Sequence, residues 1–332
     1  MTAAEEIPLL VIVGPTAVGK TEAAILVAEA LGGEIVSADS MAIYRGMPIA
    51  TAMPTPQERA RVPFHLIGFV DPADSYSVAQ FQQDADRAIR DIHARGRLPM
   101  LVGGTGLYVQ AVVERLLFPV GPSDNEVRRR LMETARAVGS QALHERLRGV
   151  DPVSAQRVHP RDTKRIVRAL EVYELTGQPM SAAQAVDASP RIRYNVAEFG
   201  LSRPRERLYE RIDRRVERLF EQGLVEEVRR LREEGVPESA QAMQALGTKQ
   251  VLAHLRGELS LPDAVELTKR ETRRYAKRQL TWFRRHGRVQ WLGIDEGAAL
   301  RDVVTTLISR AGRHTQGENL AIPRGRSEVG GR

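Results

Sequence analysis

Cysteine is absent from the 332 residues, which excludes disulfides and every zinc site built on thiolates, and fits a reducing compartment. No run of 18 apolar residues occurs, so no transmembrane helix is expected. Met1 to Pro8 is short and acidic and lacks the pattern of a signal peptide, so a cytoplasmic location is expected. Internal repeats are also missing. Acid is in deficit: 42 Asp and Glu stand against 49 Lys and Arg, for a net charge of +7. That balance suits either a polyanionic partner or a solvated surface of salt-bridged helices, and the distribution of charge decides between them. What remains is a chain of one large or two moderate domains, with 42% hydrophobic residues to build a core.

The most informative stretch is Leu9 to Thr21. Five apolar residues, Leu9 to Val13, run straight into Gly14-Pro15-Thr16-Ala17-Val18-Gly19-Lys20-Thr21, and a helical pattern follows to Leu31. Strand, G-x-x-x-x-G-K-T loop and helix together form a phosphate cradle. Glycine lets backbone N–H groups crowd around an anion, and the helix N-terminus adds its dipole. Lys20 supplies a point charge and Thr21 a hydroxyl for Mg²⁺. The motif calls for a diphosphate or triphosphate and is silent on what carries it.

Glu34 to Ala38 reads as a second strand, which delivers Asp39-Ser40 to its carboxyl end, where open α/β sheets place their ligands. Asp39 there is a Mg²⁺ ligand, a general base, or a helix N-cap or turn aspartate. Met41 to Thr55 is read as irregular, with Arg45 either on a phosphate or in solvent. Phe64 to Ile67 reads as a brief strand, with His65 as a structural histidine. Ser77 to Gln80 is a capping box opening a helix that Gly96 ends. Leu98 to Val102 is a buried strand that opens into Gly103-Gly104-Thr105-Gly106, with a helix from Leu107 to about Arg115. A parallel sheet gathers its strand ends, so this second strand–glycine–helix corner makes Thr105 a ligand for the same site.

After Phe118 to Ser123 the pattern changes. From Asp124 to about Thr176 it predicts helices and almost no strand, an insertion or second domain. Arg161, Arg165 and Arg168 are placed on one helix face with Asp162 as the sole matching acid, which favours phosphate contact. Ala197 to Leu201 returns to the sheet. Arg203 to Glu234 mixes arginine and acid at helical spacing, with Leu208, Ile212, Val216 and Leu219 as its buried stripe, and reads as a salt-bridged exterior. Ala264 to His286 is different. Lys269, Arg270, Arg273, Arg274, Lys277, Arg278, Arg284 and Arg285 face little acid beyond Glu271, and Tyr275, Trp282 and Phe283 lie among them. Basic residues interleaved with aromatics fit a nucleic-acid contact surface. Val289 to Leu292 reads as a last strand, and residues 315–332 as a disordered tail.

Several strings go further: Gly14 to Thr21, Ser37 to Met41, Tyr44 to Met47, Tyr76 to Phe81, Leu101 to Tyr108, Arg165 to Gly177 and Arg274 to Phe283. Together they resemble the bacterial tRNA dimethylallyltransferases, or tRNA isopentenyltransferases, from about Leu9 to Leu292. The resemblance implies an α/β fold with a P-loop NTPase-like parallel sheet flanked by helices. A catalytic core spans 1–120 and 193–314, and an inserted all-helical domain for tRNA spans 121–192. It implies transfer of a dimethylallyl group from dimethylallyl diphosphate to N6 of adenosine 37, beside the tRNA anticodon, with Mg²⁺, base flipping and release of diphosphate. Gly14, Pro15, Thr16, Ala17, Val18, Gly19, Lys20, Thr21 and Arg215 then hold the diphosphate, with Thr21 on the metal. Asp39 takes the proton of the adenine amine or hydrogen-bonds it, and Thr105 lies near the reacting centre. Contacts to the anticodon stem-loop fall to Asp39, Ser40, Met41 and Ala42; to Lys164, Arg165, Ile166, Val167 and Arg168; and to Gly247, Lys249, Gln250, Lys277, Arg278 and Arg284. A monomer is expected.

The chain departs from the family pattern at Phe64, where a histidine is usual, at Ala50 and Met53, where glycine and lysine are usual, and at Thr248, often tyrosine. The competing reading is a P-loop kinase or a prenyltransferase acting on free adenine nucleotides. The two basic helices speak against it.

Overall fold

Five apolar residues in a row cannot alternate between a wet and a dry face, so a strand made of them must be covered on both. Strand β1 (Pro8–Val13) takes such a place. The computed structural model describes residues 6–114, 116, 125–185, 194–295 and 299–315. Among them β2 (Gly33–Ala38), β3 (Phe64–His65), β4 (Leu98–Gly103), β5 (Asn195–Ser202) and β6 (Gln290–Gly293) join β1 in one sheet. Its order is β3-β2-β4-β1-β5-β6 and every pair is parallel.

The helices, in chain order, are α1 (Lys20–Leu31), α2 (Pro56–Arg61), α3 (Val78–Ala94), α4 (Gly106–Val113), α5 (Asn125–Val150), α6 (Pro152–Arg157), α7 (Thr163–Thr176), α8 (Met180–Ala185), α9 (Arg205–Glu221), α10 (Leu224–Glu233), α11 (Thr248–Leu255), α12 (Leu261–Arg284) and α13 (Leu300–Thr315). Their ends follow local chemistry. Gly32, with φ 63°, closes α1 by donating its N–H to Ala28 O. Ser77 and Gln80 form the reciprocal capping box that opens α3. The charged run from Arg203 to Glu234 is two helices, because Gly223 at φ 98° breaks it.

The chain divides into two compact units, residues 1–113 with 192–332, and residues 114–191. The sequence pattern places these boundaries at 120/121 and 192/193. In the first unit the period of two along β1 sorts the core. Leu9, Val11 and Val13 pack on one face with Val36, Leu101, Phe81, Tyr108 and Phe283. Leu10 and Ile12 pack on the other with Ile25, Met100, Phe199 and Ile212. The second unit is helical, with its own core of Leu131, Leu143, Leu147, Ile166, Val167 and Leu170. Asp151 ties α6 to α8 there, accepting from the backbone and hydroxyl of both Ser154 and Ser181.

Strand register sets up the site. Val13 lies opposite both Gly103 and Gly200, and Ala38 lies opposite Gly103. The residues that follow, Gly14, Asp39 and Gly104, therefore leave three neighbouring strands at one level on the carboxyl edge. Helix α13 has no counterpart among the elements expected from sequence. Thr315 ends that helix rather than opening a tail, and residues 316–332 lie outside the described residues.

Candidate active site

The loop after β1 is built from positive-φ residues: Gly14 at 147°, Ala17 at 63° and Gly19 at 111°. A Cβ on Gly14 would also lie 2.7 Å from the Leu201 carbonyl oxygen. Cationic side chains occupy the loop's carbonyls. Lys20 Nζ donates to Gly14 O (2.9 Å) and Pro15 O (2.8 Å). Arg203 Nε donates to Val18 O (2.9 Å) and Arg211 Nε to Ala17 O (3.0 Å). With the Gly14, Pro15, Ala17 and Val18 carbonyls engaged, the loop turns N–H donors outward, as an anion site requires.

Asp39 follows β2. Its Oδ1 accepts the N–H groups of Met41 (2.8 Å) and Ala42 (3.3 Å), an Asx turn that fixes the carboxylate and leaves Oδ2 open. Thr105 follows β4 and is tied to the same turn. Its N–H donates to Ala38 O (3.1 Å), and its hydroxyl accepts from Ser40 N (3.1 Å) and donates to Ser40 Oγ (3.3 Å). So β2 and β4 hold Asp39 and Thr105 as one assembly.

These parts line one cavity of about 310 Å³, with Thr16, Lys20, Thr21, Asp39, Gly104, Arg215, Tyr275 and Gln279 in its wall. Burial pulls the Lys20 ammonium down to about 7; nearby Asp39 opposes the shift and Arg215 adds to it. The Arg215 guanidinium is lowered too, first by burial, again against the pull of Asp39. Two desolvated cations thus face one carboxylate, an imbalance that an anionic ligand relieves. Tyr275 is pushed up to about 12 by burial and by Asp39, so it stays a neutral donor. The Thr21 hydroxyl, in the first turn of α1, makes no hydrogen bond within the described residues, whereas Thr268 and Thr272 bond back to their own helix. A free hydroxyl beside a phosphate cradle fits a Mg²⁺ ion that keeps its remaining ligands from phosphate and water.

Of the sequence-derived site residues, the loop, Asp39, Thr105, Arg215 and Ala42 line or adjoin this cavity; the basic segments need correction. Arg161 precedes α7 rather than lying on it. Arg165 pairs with Asp162 at 3.4 Å, and Arg168 pairs with the fully buried Glu171 at 3.1 Å, an acid that helical periodicity does not flag. Ile166 and Val167 are core, so their side chains serve packing. On α12, Lys269 pairs with Glu217 and Glu266, Arg273 with Asp213 and Arg274 with Glu271. Two acids that the sequence assigns to the exterior of α9, Asp213 and Glu217, thus neutralise two of the eight cations singled out in this stretch, and Glu266 and Glu271 of α12 itself pair with Lys269 and Arg274. Among the described residues, Arg270, Lys277, Arg278, Arg284 and Arg285 have no carboxylate partner; Arg278 lies over Tyr275 and Arg284 over Trp291. Phe283 is core at 1% exposure. Gly247 and Gln250 are buried, and Gln250 Oε1 accepts the Gly247 N–H to start α11, so of that segment Lys249 alone offers a side chain to solvent. Thr248 is fully buried as well. His65 keeps its structural role, 2.7 Å from Glu34.

Sequence reasoning missed Arg203, Arg211 and Gln279. Gln279 had a readable signal: it is an uncharged polar residue on the face of α12 shared by Tyr275 and Trp282, four before it and three after.

Comparison with known proteins bears on the same residues. The family model described as IPP transferase matches residues 42–286, and one described as isopentenyl transferase matches residues 7–62. A tRNA dimethylallyltransferase of Thermomicrobium roseum is 50% identical over 289 residues, 87% of each chain. The crystal structure of a full-length tRNA isopentenylpyrophosphate transferase from Bacillus halodurans is 41% identical, with TM-score 0.67, covering 93% of this chain and 98% of that one. A eukaryotic dimethylallyltransferase, captured in crystallographic snapshots acting on tRNA, is 27% identical with TM-score 0.80, covering 94% of this chain and 80% of that one. No helix among the described residues is long and apolar enough to cross a membrane.

Proposed function

The chain belongs to the IPP transferase family, and from that premise we propose that it transfers a dimethylallyl group from dimethylallyl diphosphate to N6 of adenosine 37, next to the anticodon of tRNA. The observation that carries this reading is the cavity that joins an anion cradle, with Lys20 and Arg215, to a fixed carboxylate at Asp39. A kinase needs the cradle. A carbon–nitrogen transfer needs both.

In this reading the loop amides, Lys20 and Arg215 bind the diphosphate of the donor and stabilise the charge that gathers on it as the C1–O bond breaks. Mg²⁺, when bound at Thr21, supplies further charge neutralisation of the leaving diphosphate. The adenine amine is a weak nucleophile while its lone pair is delocalised into the ring. Asp39 Oδ2 accepts its proton as the nitrogen attacks C1. Thr105 keeps the carboxylate turn in place through Ser40. The base must leave its stack to reach this carbon, and water must be kept from the reacting centre, where it would capture an allylic cation.

In this reading the first unit contacts tRNA through Asp39 to Ala42, Lys249, Lys277, Arg278 and Arg284, with Gly247 and Gln250 beneath. The helical unit, by itself, contributes the exposed cations Lys164 and Arg165, with Ile166 and Val167 beneath. The enzyme works as a cytoplasmic monomer. The test is incubation with dimethylallyl diphosphate, Mg²⁺ and unmodified tRNA, followed by nucleoside analysis. A prenylated adenosine beside the anticodon is expected, and comparable kcat/KM on free AMP would replace tRNA by nucleotide as substrate. Asp39→Ala should lose about 10²- to 10⁴-fold in kcat, with a far smaller loss of tRNA affinity, since Asp39 is one of several contacts. Wild-type kcat in that variant would remove the base assignment.

A further inference from the structure

One side chain connects the two halves of the chemistry. Gln279 is 6% exposed near the C-terminal end of α12. Its Oε1 accepts the N–H of Thr16 in the phosphate loop at 2.8 Å, and its Nε2 donates to the carbonyl of Gly104 at 2.9 Å. Thr16 and Gly104 belong to the corners after β1 and β4. The amide therefore bridges the loop that would hold the donor to the corner that carries Thr105. The approach is close: a Cβ on Gly104 would lie 2.2 Å from Gln279 Nε2, so this glycine leaves room for the amide. One turn earlier on the same face, Tyr275 also lines the cavity. Thr105 in turn holds Ser40, which follows Asp39. A chain of polar contacts runs from Thr16 through Gln279 to Gly104, and from Thr105, the next residue, through Ser40 and Ala38 to the Asp39 turn.

We propose that Gln279 is a positioning residue for the transfer, setting the distance between the diphosphate loop and the Asp39–Thr105 corner so that the amine of the base meets C1 of the donor. This rests on the prenyl-transfer reading above. The amide suits the task because it offers one acceptor and one donor in a fixed plane. Glutamate keeps the acceptor for Thr16 and loses the donor for Gly104. Leucine keeps the volume and loses both. Asparagine is one methylene too short to reach both.

A misaligned centre still breaks the C1–O bond but presents the carbon to water. Water's oxygen then bonds C1, diphosphate leaves with the C1–O electron pair, and the spare proton passes to solvent, giving dimethylallyl alcohol. The ratio of diphosphate released to prenyl groups transferred thus reports alignment, which a loss of folded protein does not change.

The experiment compares wild type, Gln279→Leu and Gln279→Glu with dimethylallyl diphosphate, Mg²⁺ and unmodified tRNA. Prenylated adenosine, released diphosphate, tRNA affinity and Tm are measured for each. Gln279→Leu should lose about 10- to 100-fold in kcat for transfer, the scale of an ångström-sized displacement. Its tRNA affinity should stay within twofold, and diphosphate release should exceed transfer. Gln279→Glu should lie between the two in kcat. A leucine variant with kcat within twofold of wild type and a release ratio of one overturns the proposal. So does a variant whose losses of transfer and release are equal. Should the leucine variant not fold, the glutamate variant supplies the same ratio, and a value of one there overturns the proposal equally. A wild-type protein that prenylates no tRNA refutes the functional reading instead, so the two failures are distinct.

Discussion

The two glycine corners share an architecture, a buried strand ending in glycine before a helix, yet their glycines answer different demands. After β1, Gly14 and Gly19 adopt positive φ, 147° and 111°, that side chains rarely tolerate. After β4, Gly103, Gly104 and Gly106 have ordinary φ and instead leave clearance. A Cβ at these positions would lie 2.1 Å from Ala38 O, 2.2 Å from Gln279 Nε2 and 2.2 Å from Trp282 Cδ1. The first corner bends backbone around an anion and carries Lys20. The second carries no charge and lets β2 and α12 close in until Thr105 meets the Asp39 turn. One corner binds by conformation and charge, the other by packing.

The largest expected effect tests the charged corner. Lys20→Met removes the ammonium held by the Gly14 and Pro15 carbonyls, and kcat/KM for the donor should fall about 10²- to 10³-fold, in the range for loss of one charge-stabilising donor. The tRNA affinity, read by filter binding, should not follow. A loss below about fivefold would mean that Arg215 and the loop amides suffice, and that the corners differ less than their electrostatics imply.

Next come the glycines themselves. Gly103→Ala drives a methyl into the backbone of β2, where nothing flexible can yield, and should destabilise by about 1–3 kcal/mol or more. Gly19→Ala meets nothing nearer than 3.7 Å, so its cost is backbone strain at φ 111°, about 1–3 kcal/mol. The contrast to measure is therefore where each loss appears. Gly103→Ala should lower Tm while the folded fraction still binds inorganic diphosphate. Gly19→Ala should weaken diphosphate binding beyond what its Tm explains. Identical patterns in the two variants would dissolve the distinction.

Much of this contrast was legible in the sequence. An apolar run ending in G-x-x-x-x-G-K-T identifies its own strand, turn and helix, because each step is local. The β4 corner was legible as a shape, but not its clearance, since Ala38, Gln279 and Trp282 come from distant parts of the chain. The same locality explains the errors on charge. Asp162 beside Arg165 was visible, whereas Arg273 finds Asp213 on α9 and Lys269 finds Glu217. Counting acids within α12 could not reveal partners on another helix, although Glu266, three residues before Lys269, lay within that count and was overlooked. Glu171 differs: three residues after Arg168 on the same helix, it was a visible partner left out of the count, whereas its full burial and its second partner, Arg128 of α5, depend on how α5 and α7 pack. Arg203 and Arg211 act on loop carbonyls, a use that no composition or spacing announces.

The smallest expected effect sharpens the electrostatic half of the comparison. Lys20 titrates near 7 in the ligand-free protein, against an ordinary 10.5, with burial as the main cause. An unfolded chain holds that proton up to about 10.5 and the folded chain releases it near 7, so between these values the unfolded state binds more protons. Stability should therefore rise with pH across that window from this group. Diphosphate restores the charge on Lys20, so binding above pH 7 must take up a proton, and affinity for inorganic diphosphate should fall by at most tenfold per pH unit. Calorimetry in buffers of different ionisation enthalpy measures the uptake. Lys20→Met serves as the control that subtracts the ligand's own titration. A difference of under about 0.2 proton between wild type and Lys20→Met at pH 8 would mean that Lys20 is already charged in the empty site. The β4 corner, having no titrating side chain, should contribute nothing to either profile.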